Sequence, residues 1–157
     1  MHDFDVIDRA AGLAPGDPLH TARRFRAKIV DATEASHDAL LMQPVPGLSP
    51  ADRFRVAVHA CESARATSLA GHYADLLENA DDDAATASPA LPAMLQFAAT
   101  LTTDPRRGDR AAIAALKSAG LDDAAIVALA QLVAFLSYQV RVVAGLQALR
   151  SNRGEGR

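Results

Sequence analysis

Apolar residues recur at intervals of three and four along most of the chain, which predicts helices rather than strands. The first long helix is expected from Pro18, with Asp17 placed to cap it, to about residue 42. No segment of useful length alternates as a strand does. Further helices are predicted at residues 52–77, 92–101, 109–119 and 122–150. The pattern predicts an all-α, single-domain bundle of five to six helices.

Turn and cap residues divide this pattern into segments. Ser49, Pro50 and Asp52 form a helix-start signal, and Gly120 stands where a glycine closes a helix. The polar, aperiodic residues 79–89 predict a loop. We therefore expect one domain made of three parts: an N-terminal arm and first helix (1–47), a helical core (48–150) and a flexible tail (151–157).

Composition narrows the class of protein. Half of the 157 residues are apolar, but only 4% are aromatic and there is no Trp, so the core is built mainly from Ala, Leu and Val. The net charge is −3 and the arginines are scattered among acids, so we expect no nucleic-acid partner. The single cysteine, Cys61, excludes an intramolecular disulfide and fits a reducing compartment. A cytoplasmic location is expected.

The longest uncharged run, residues 124–140, approaches the length of a membrane span. It contains Gln131, Ser137 and Gln139, and Arg141 follows at once. Helices that are apolar all round also occur inside soluble proteins. The run therefore predicts a buried core helix, and no membrane partner is expected.

The residues that commonly bind metals do not form a recognisable metal motif. His59 and Glu62 are one turn apart, but two ligands on one helix do not make a site without others. The run Asp81-Asp82-Asp83 lacks the alternating ligands and terminal Glu of a calcium loop. We expect no metal and no cofactor.

The helix predicted at residues 52–77 carries the most informative line of side chains. Residues at steps of four and three share one face of this predicted helix: Phe54, Val58, Cys61, Arg65, Ser68, His72 and Leu76. Polar groups on a core-facing line need partners, so Arg65, Ser68 and His72 are expected to bond to one another, to a neighbouring helix or to a ligand. Two interpretations stay open, a buried polar cluster or oligomer contact and a ligand or reaction site, and we prefer the first.

Three segments, in this order and spacing, carry a resemblance to a known family. Residues 48–53 open the helix that ends near His72 and Tyr73, residues 101–105 and then 115–127 follow it, and residues 135–143 close the pattern, with Val140 where an Asn is common. Over residues 48–149 the chain resembles the alkylhydroperoxidase-D and carboxymuconolactone decarboxylase family. The arm and first helix match only a subset of longer relatives. The resemblance implies a helical bundle and a homo-oligomer, because relatives assemble through their core and final helices.

The resemblance also indicates what this chain lacks. Active peroxidases of the family carry Cys-x-x-Cys-x-x-x-His, in which one thiolate attacks the peroxide and the second resolves the sulfenic acid. With His72 as the anchor, the two cysteine positions fall on Arg65 and Ser68, and the histidine between them on Thr67. The helix-start glutamate falls at or near Arg53. The motif is reduced to His72, which makes this a degenerate active site.

Two classes of function follow from the resemblance, and whether the protein is an enzyme stays open. We expect a non-peroxidase binding or assembly subunit, for which an active dithiol paralogue is a candidate partner. The alternative is an enzyme. In a decarboxylase, Arg65 and Arg141 would hold a small acidic ligand while His72 moves a proton. In a one-cysteine peroxidase, Arg65 would lower the pKa of Cys61.

Overall fold

The computed structural model describes residues 5–80 and 87–154, and this part of the chain is all-α, with no strand. The all-α, single-domain fold is confirmed. The α-helices are α1 (Val6–Ala11), α2 (Pro18–Arg23), α3 (Ala27–His37), α4 (Pro50–Ser63), α5 (Thr67–Glu78), α6 (Leu91–Thr103), α7 (Arg110–Ser118) and α8 (Asp123–Gly154). A π-helix (Asp38–Met42) continues α3, and a 3₁₀ turn (Pro105–Arg107) follows α6. Asp81, Asp82, Asp83, most of the predicted loop and the end of the predicted tail lie outside the described residues.

The helix-start and helix-stop signals behave as the sequence predicts. The side chain of Ser49 accepts a hydrogen bond from the backbone N–H of Asp52 at 3.1 Å, and α4 begins at Pro50. Asp17 caps α2 in the same manner. Gly120 follows α7 with a φ of 98°, a conformation that glycine adopts without strain.

Both long helices predicted for the first half of the chain are divided. The segment predicted at 18–42 breaks between Arg23 and Ala27. The segment predicted at 52–77 breaks between Ser63 and Thr67, where Arg65 adopts a left-handed φ of 58°. These breaks, together with the helix formed by the arm, raise the number of α-helices in the described residues to eight. The left-handed conformation of Arg65 costs roughly 1–2 kcal/mol in a non-glycine residue. The packing of α5 against α4 must therefore stabilise the turn.

The core lies where α4 and α6 pack against α8. Its fully buried members include Val56 and Ala57 from α4, Ala98 from α6, and Leu129 and Leu136 from α8. The small alanine side chains let the helix axes approach closely. Residues Asp123–Arg153 of α8 have the length and apolar composition of a membrane span, and in this fold the helix supplies much of the core.

Buried ion pairs hold the N-terminal arm against the body. Asp8 is 0% exposed and accepts from Arg23 and Arg24, each at 2.8 Å. Arg23 also approaches Asp5 to 2.6 Å. On the other side, Arg150 of α8 donates to the carbonyl oxygen of Ala11 at 2.9 Å. The arm thereby packs on α5 and α8 and forms one wall of a cavity.

Candidate functional site

A cavity of about 590 Å³ lies between the arm, α3 with its π-helix, α5 and α8. Its apolar wall includes Val6 and Ile7 of the arm, Met42 of the π-helix and Leu76 of α5. His37, His72 and Gln139 bring polar groups into this apolar surround. A concave, mostly apolar space with a few convergent polar groups is typical of small-molecule sites.

Gln139 of α8 is a buried polar residue on the cavity wall, only 1% exposed. Its Oε1 accepts a hydrogen bond of 2.5 Å from the hydroxyl of Tyr73. Burial raises the pKa of the Tyr73 phenol, which therefore stays neutral and donates. Within residues 5–80 and 87–154 this is the one hydrogen bond of the Gln139 side chain, so its amide N–H donors remain without a protein partner.

Two imidazoles from different helices meet at this cavity. The ring centroids of His37, on α3, and His72, on α5, are 6.4 Å apart. Tyr73 stacks on His37 at 6.1 Å and meets His72 edge-on at 5.1 Å. The Nε2 atoms of both histidines are buried and have no hydrogen-bond partner in the described part of the chain. Buried polar atoms without partners are uncommon and favour a functional explanation.

Both imidazoles are neutral at pH 7 because the surroundings lower their pKa values. Burial lowers the pKa of His72 to about 4, with His37 and Arg9 acting in the same direction and Asp75 opposing them. Burial also lowers the pKa of His37, against the opposing effect of Asp38 and Asp5. A neutral imidazole offers one N–H donor and one acceptor nitrogen.

Carboxylates also line the cavity. Asp31, Glu34 and Asp38 lie on one face of α3 and its π-helix, at spacings of three and four. Asp5 faces the cavity from the arm but is paired with Arg23. Among the described residues, neither lysine nor arginine lines this space. The electrostatic potential there favours a positive group.

The sequence-predicted site residues are not all brought together. His72 lines the cavity, whereas Arg65 and Ser68 are exposed and line a separate groove between the start of α5 and α8. Arg141 lines a third hollow. The expectation that Arg65, Ser68 and His72 share one buried face is wrong. The helix ends at Ser63 and restarts at Thr67, so the spacing of three and four does not continue across the break.

Cys61 is fully buried in the core. Burial, reinforced by the charge of Glu62, raises the pKa of the thiol to about 12. The expected lowering of this pKa by Arg65 is therefore wrong, because desolvation of the thiolate dominates. A protonated, inaccessible thiol is not a nucleophile at neutral pH.

Arg53, at or near the glutamate position of the resembling family, is buried with 1% exposure. Its Nη1 donates to the carbonyl oxygen of Leu40 at 2.8 Å, while Nε and Nη2 have no partner within the described residues. Burial lowers its pKa. Arg53 thus connects α4 to the π-helix that borders the cavity.

Sequence reasoning missed His37, Tyr73 and Gln139 as site residues. A signal for His37 was present, because a step of four from Thr33 in the first predicted helix gives His37, and another gives Leu41, which is fully buried. In the sequence, Gln139 is only a polar interruption of an apolar run. No local pattern in the sequence indicates that α3, α5 and α8 bring the polar groups of His37, Tyr73 and Gln139 close together.

The structure is similar to the crystal structure of an uncharacterized peroxidase-related protein from Silicibacter sp. TM1040. The TM-score is 0.58 and the sequence identity is 22%, over 90% of this chain and 79% of that one. At this identity the likeness shows a shared fold and leaves the activity open. No protein-family model matches the sequence, and no curated protein matches it.

Proposed function

We propose that this protein has an alkylhydroperoxidase-D-like fold without the redox dithiol and binds a small molecule in the cavity between His37 and His72. The position and bonding of the Gln139 side chain support this proposal most directly. A side chain with 1% exposure lines a cavity while its amide donors lack a protein partner. These donors are open to a ligand that carries an acceptor, and a hydrogen bond of this kind contributes about 0.5–1.5 kcal/mol.

Thiol chemistry has little support from the geometry. The two positions that the resemblance assigns to cysteines hold Arg65 and Ser68, neither of which reacts with peroxide. Cys61, with its raised pKa, is closed inside the core. A one-cysteine peroxidase would require a thiolate that this environment disfavours.

The decarboxylase alternative is also weaker than binding. Its acidic ligand would have to enter a cavity bordered by carboxylates, and the arginines proposed to hold that ligand, Arg65 and Arg141, line other hollows. A histidine with a pKa of about 4 is a weak general base, because acid–base catalysts work best near the ambient pH. A binding role makes no such demand on His72.

Homo-oligomer formation and a cytoplasmic location are further parts of the proposal. Large apolar side chains are exposed in the single chain, among them Phe25 at 87%, Ile29 at 55% and Val127 at 55%. Apolar exposure of this kind suits contact with another subunit. Light scattering coupled to size-exclusion chromatography would give the subunit number, and a monomer at micromolar concentration would contradict this part.

The binding proposal is tested by blocking the cavity. Ala35 lines it, and Ala32, on the same helix, does not, although both are exposed. Size-matched aromatic fragments carrying positive, negative or no charge are titrated into labelled protein and followed by NMR. We expect shifts around His37, His72 and Gln139 that Ala35→Phe abolishes and Ala32→Phe leaves intact. Absence of binding, or binding that Ala35→Phe does not affect, would contradict the proposal.

A peroxide assay tests the absence of thiol chemistry separately. Hydrogen peroxide consumption is measured with dithiothreitol as the reductant, for the wild type and for Cys61→Ser. We expect both to match the protein-free control. Thiol-dependent turnover that disappears in Cys61→Ser would contradict the proposal that the protein is not a peroxidase.

A further inference from the structure

We infer that the ligand of the His37–His72 cavity is a small organic amine, a cation whose apolar body carries a hydroxyl or carbonyl group. The inference rests on the proposed binding function and adds the chemical class of the ligand. The cavity supplies three kinds of contact, one for each part of such a molecule: carboxylates, apolar side chains and buried polar groups.

The carboxylates of α3 and its π-helix favour a ligand with a positive charge. Asp31 and Asp38 are exposed and Glu34 is half-buried, so they border the opening of the cavity rather than its interior. The side chain of Asp38 also accepts a hydrogen bond from Gln43, at 2.9 Å, which leaves its charge in place. Glu34 and Asp31 have no ion-pair partner within the described residues. An ammonium group entering here gains from all three charges, and a carboxylate is repelled by them.

Asp5 does not add a fourth available charge. Its Oδ2 lies 2.6 Å from Arg23, and its Oδ1 accepts from the backbone N–H of Asp8 at 2.7 Å. Two cations oppose the acidic character, Arg9, whose charge acts on His72, and Arg24, whose charge interacts with Glu34, but neither lines the cavity. The acidic character therefore belongs to the α3 side, and the cationic end of the ligand is expected there.

The apolar lining of the cavity requires an apolar body in the ligand. Val6, Ile7, Met42 and Leu76 supply this lining. A fully hydrated ion such as a metal cation would gain nothing from these side chains, and within the described residues no group of three or more metal-binding side chains is assembled. An alkyl or aryl group removes this apolar surface from water.

The buried end selects the polar substituent. Gln139 offers amide N–H donors, and its Oε1 is already occupied by Tyr73. His37 and His72, when neutral, each add one donor and one acceptor nitrogen. A hydroxyl group both accepts and donates, and a carbonyl accepts, so either one satisfies these groups without bringing a second charge into the interior.

The size of the cavity, about 590 Å³, lies within the range of small-molecule sites. An aryl-alkylamine of moderate size fits this space with room for a larger natural ligand. Tyramine is a suitable probe because it carries an ammonium group, an aromatic body and a phenol at the far end. Its carboxylate counterpart, 4-hydroxyphenylacetate, keeps the body and the phenol, and phenethylamine keeps the body and the ammonium group.

The three probes are titrated into the full-length protein by isothermal calorimetry and by NMR. We expect tyramine to bind at least about tenfold more tightly than 4-hydroxyphenylacetate, since the charge is reversed beside three carboxylates. Phenethylamine is expected to bind severalfold more weakly than tyramine, because nothing then pairs with Gln139. Comparing ligands in this way leaves the protein core undisturbed.

A pair of variants assigns the charge selection to α3. In Glu34→Gln/Asp38→Asn we expect the preference for tyramine over 4-hydroxyphenylacetate to fall to less than about threefold. Glu78→Gln removes an exposed acid of α5 that does not line the cavity, and it should keep the preference of the wild type. A preference that persists in the double variant would overturn the assignment.

The outcomes separate this inference from the function on which it rests. Binding of 4-hydroxyphenylacetate as tight as that of tyramine, blocked by Ala35→Phe, would overturn the amine class and leave the binding function standing. No binding by any of the three, together with no fragment binding in the cavity, would overturn both. Tyramine binding that is equal in Ala35→Phe and the wild type would place the amine elsewhere and reject the inference.

Discussion

The hydroxyl of Tyr73 on α5 donates to the side-chain oxygen of Gln139 on α8 across 2.5 Å, and both residues are at most 1% exposed. We expect Tyr73→Phe to lower the free energy of unfolding by about 1–3 kcal/mol, because a buried carbonyl then loses its partner. Urea denaturation measures the loss. Tyr138→Phe is the matched control: Tyr138 is 37% exposed and its hydroxyl lies 3.2 Å from that of Thr33. Equal losses in the two variants would contradict a special role for the Tyr73–Gln139 bond.

His72 makes the protein less stable in acid. Its pKa is about 4 in the folded state, against an ordinary value of 6.5, so between these values the unfolded chain binds more protons. The neutral imidazole is therefore fully compatible with folding above pH 6.5, and stability falls as the pH drops toward 4. Allowing for partial exposure, linkage gives a loss of about 1–3 kcal/mol over that window.

Urea midpoints between pH 4.5 and 7.5 test this effect. His72→Gln should flatten the decline, while the contribution of His37, whose pKa is also lowered, remains. His59→Gln, at a position that does not line the cavity, is expected to follow the wild type. Parallel curves for all three proteins would rule out His72 as a source of the acid sensitivity.

Cys61 should be unreactive until the protein unfolds. The thiol is 0% exposed and its pKa is raised to about 12, so almost no thiolate exists at pH 7.5. Iodoacetamide followed by mass spectrometry is expected to label the protein only in denaturing urea. Stoichiometric labelling of the native protein within minutes would show that the core opens at this site.

Asp8 is expected to be the most sensitive acidic residue of the arm. Asp8→Asn removes a buried partner from Arg23, whose side chain is 8% exposed, and from Arg24. Arg23 keeps Asp5 at 2.6 Å and Arg24 is partly exposed, so the loss of the charge-assisted bonds to Asp8 is expected to cost about 2–3 kcal/mol. Asp123→Asn disrupts the exposed pair with Lys117, at 2.7 Å, and should cost less than about 1 kcal/mol. Similar thermal midpoints for both variants would refute this ranking.

Arg65 occupies a conformation that glycine adopts more easily. Its φ is 58° and its side chain is exposed, so Arg65→Gly relieves strain without removing core packing. Glycine also makes the unfolded chain more flexible, which offsets part of the relieved strain. We expect a net gain of about 0.5–1 kcal/mol in the free energy of unfolding. Arg65→Ala keeps the strain and should give no gain. A loss of stability in Arg65→Gly would contradict this account.

Local signals were predictable from the sequence and long-range ones were not. Ser49, Asp17 and Gly120 act within a few residues of themselves, and each behaves as predicted. The break at Arg65 has no glycine or proline to mark it, because it depends on how α4 and α5 pack. His37 and His72 are 35 positions apart in the sequence, and only the tertiary fold places them 6.4 Å apart.

The turn between α4 and α5 has a consequence for how this scaffold can change. Arg65 in the turn and Ser68 at the start of α5 are both exposed, so replacing either one alters no buried contact of the single chain. Reactive groups can be gained or lost at this turn with little effect on folding. Tyr73 and Gln139 are different, because the same bond serves both the cavity and the cohesion of the bundle. Substitutions at the turn can therefore introduce new reactive groups without unfolding the protein. Substitutions of Tyr73 or Gln139 change the cavity and the stability of the protein together.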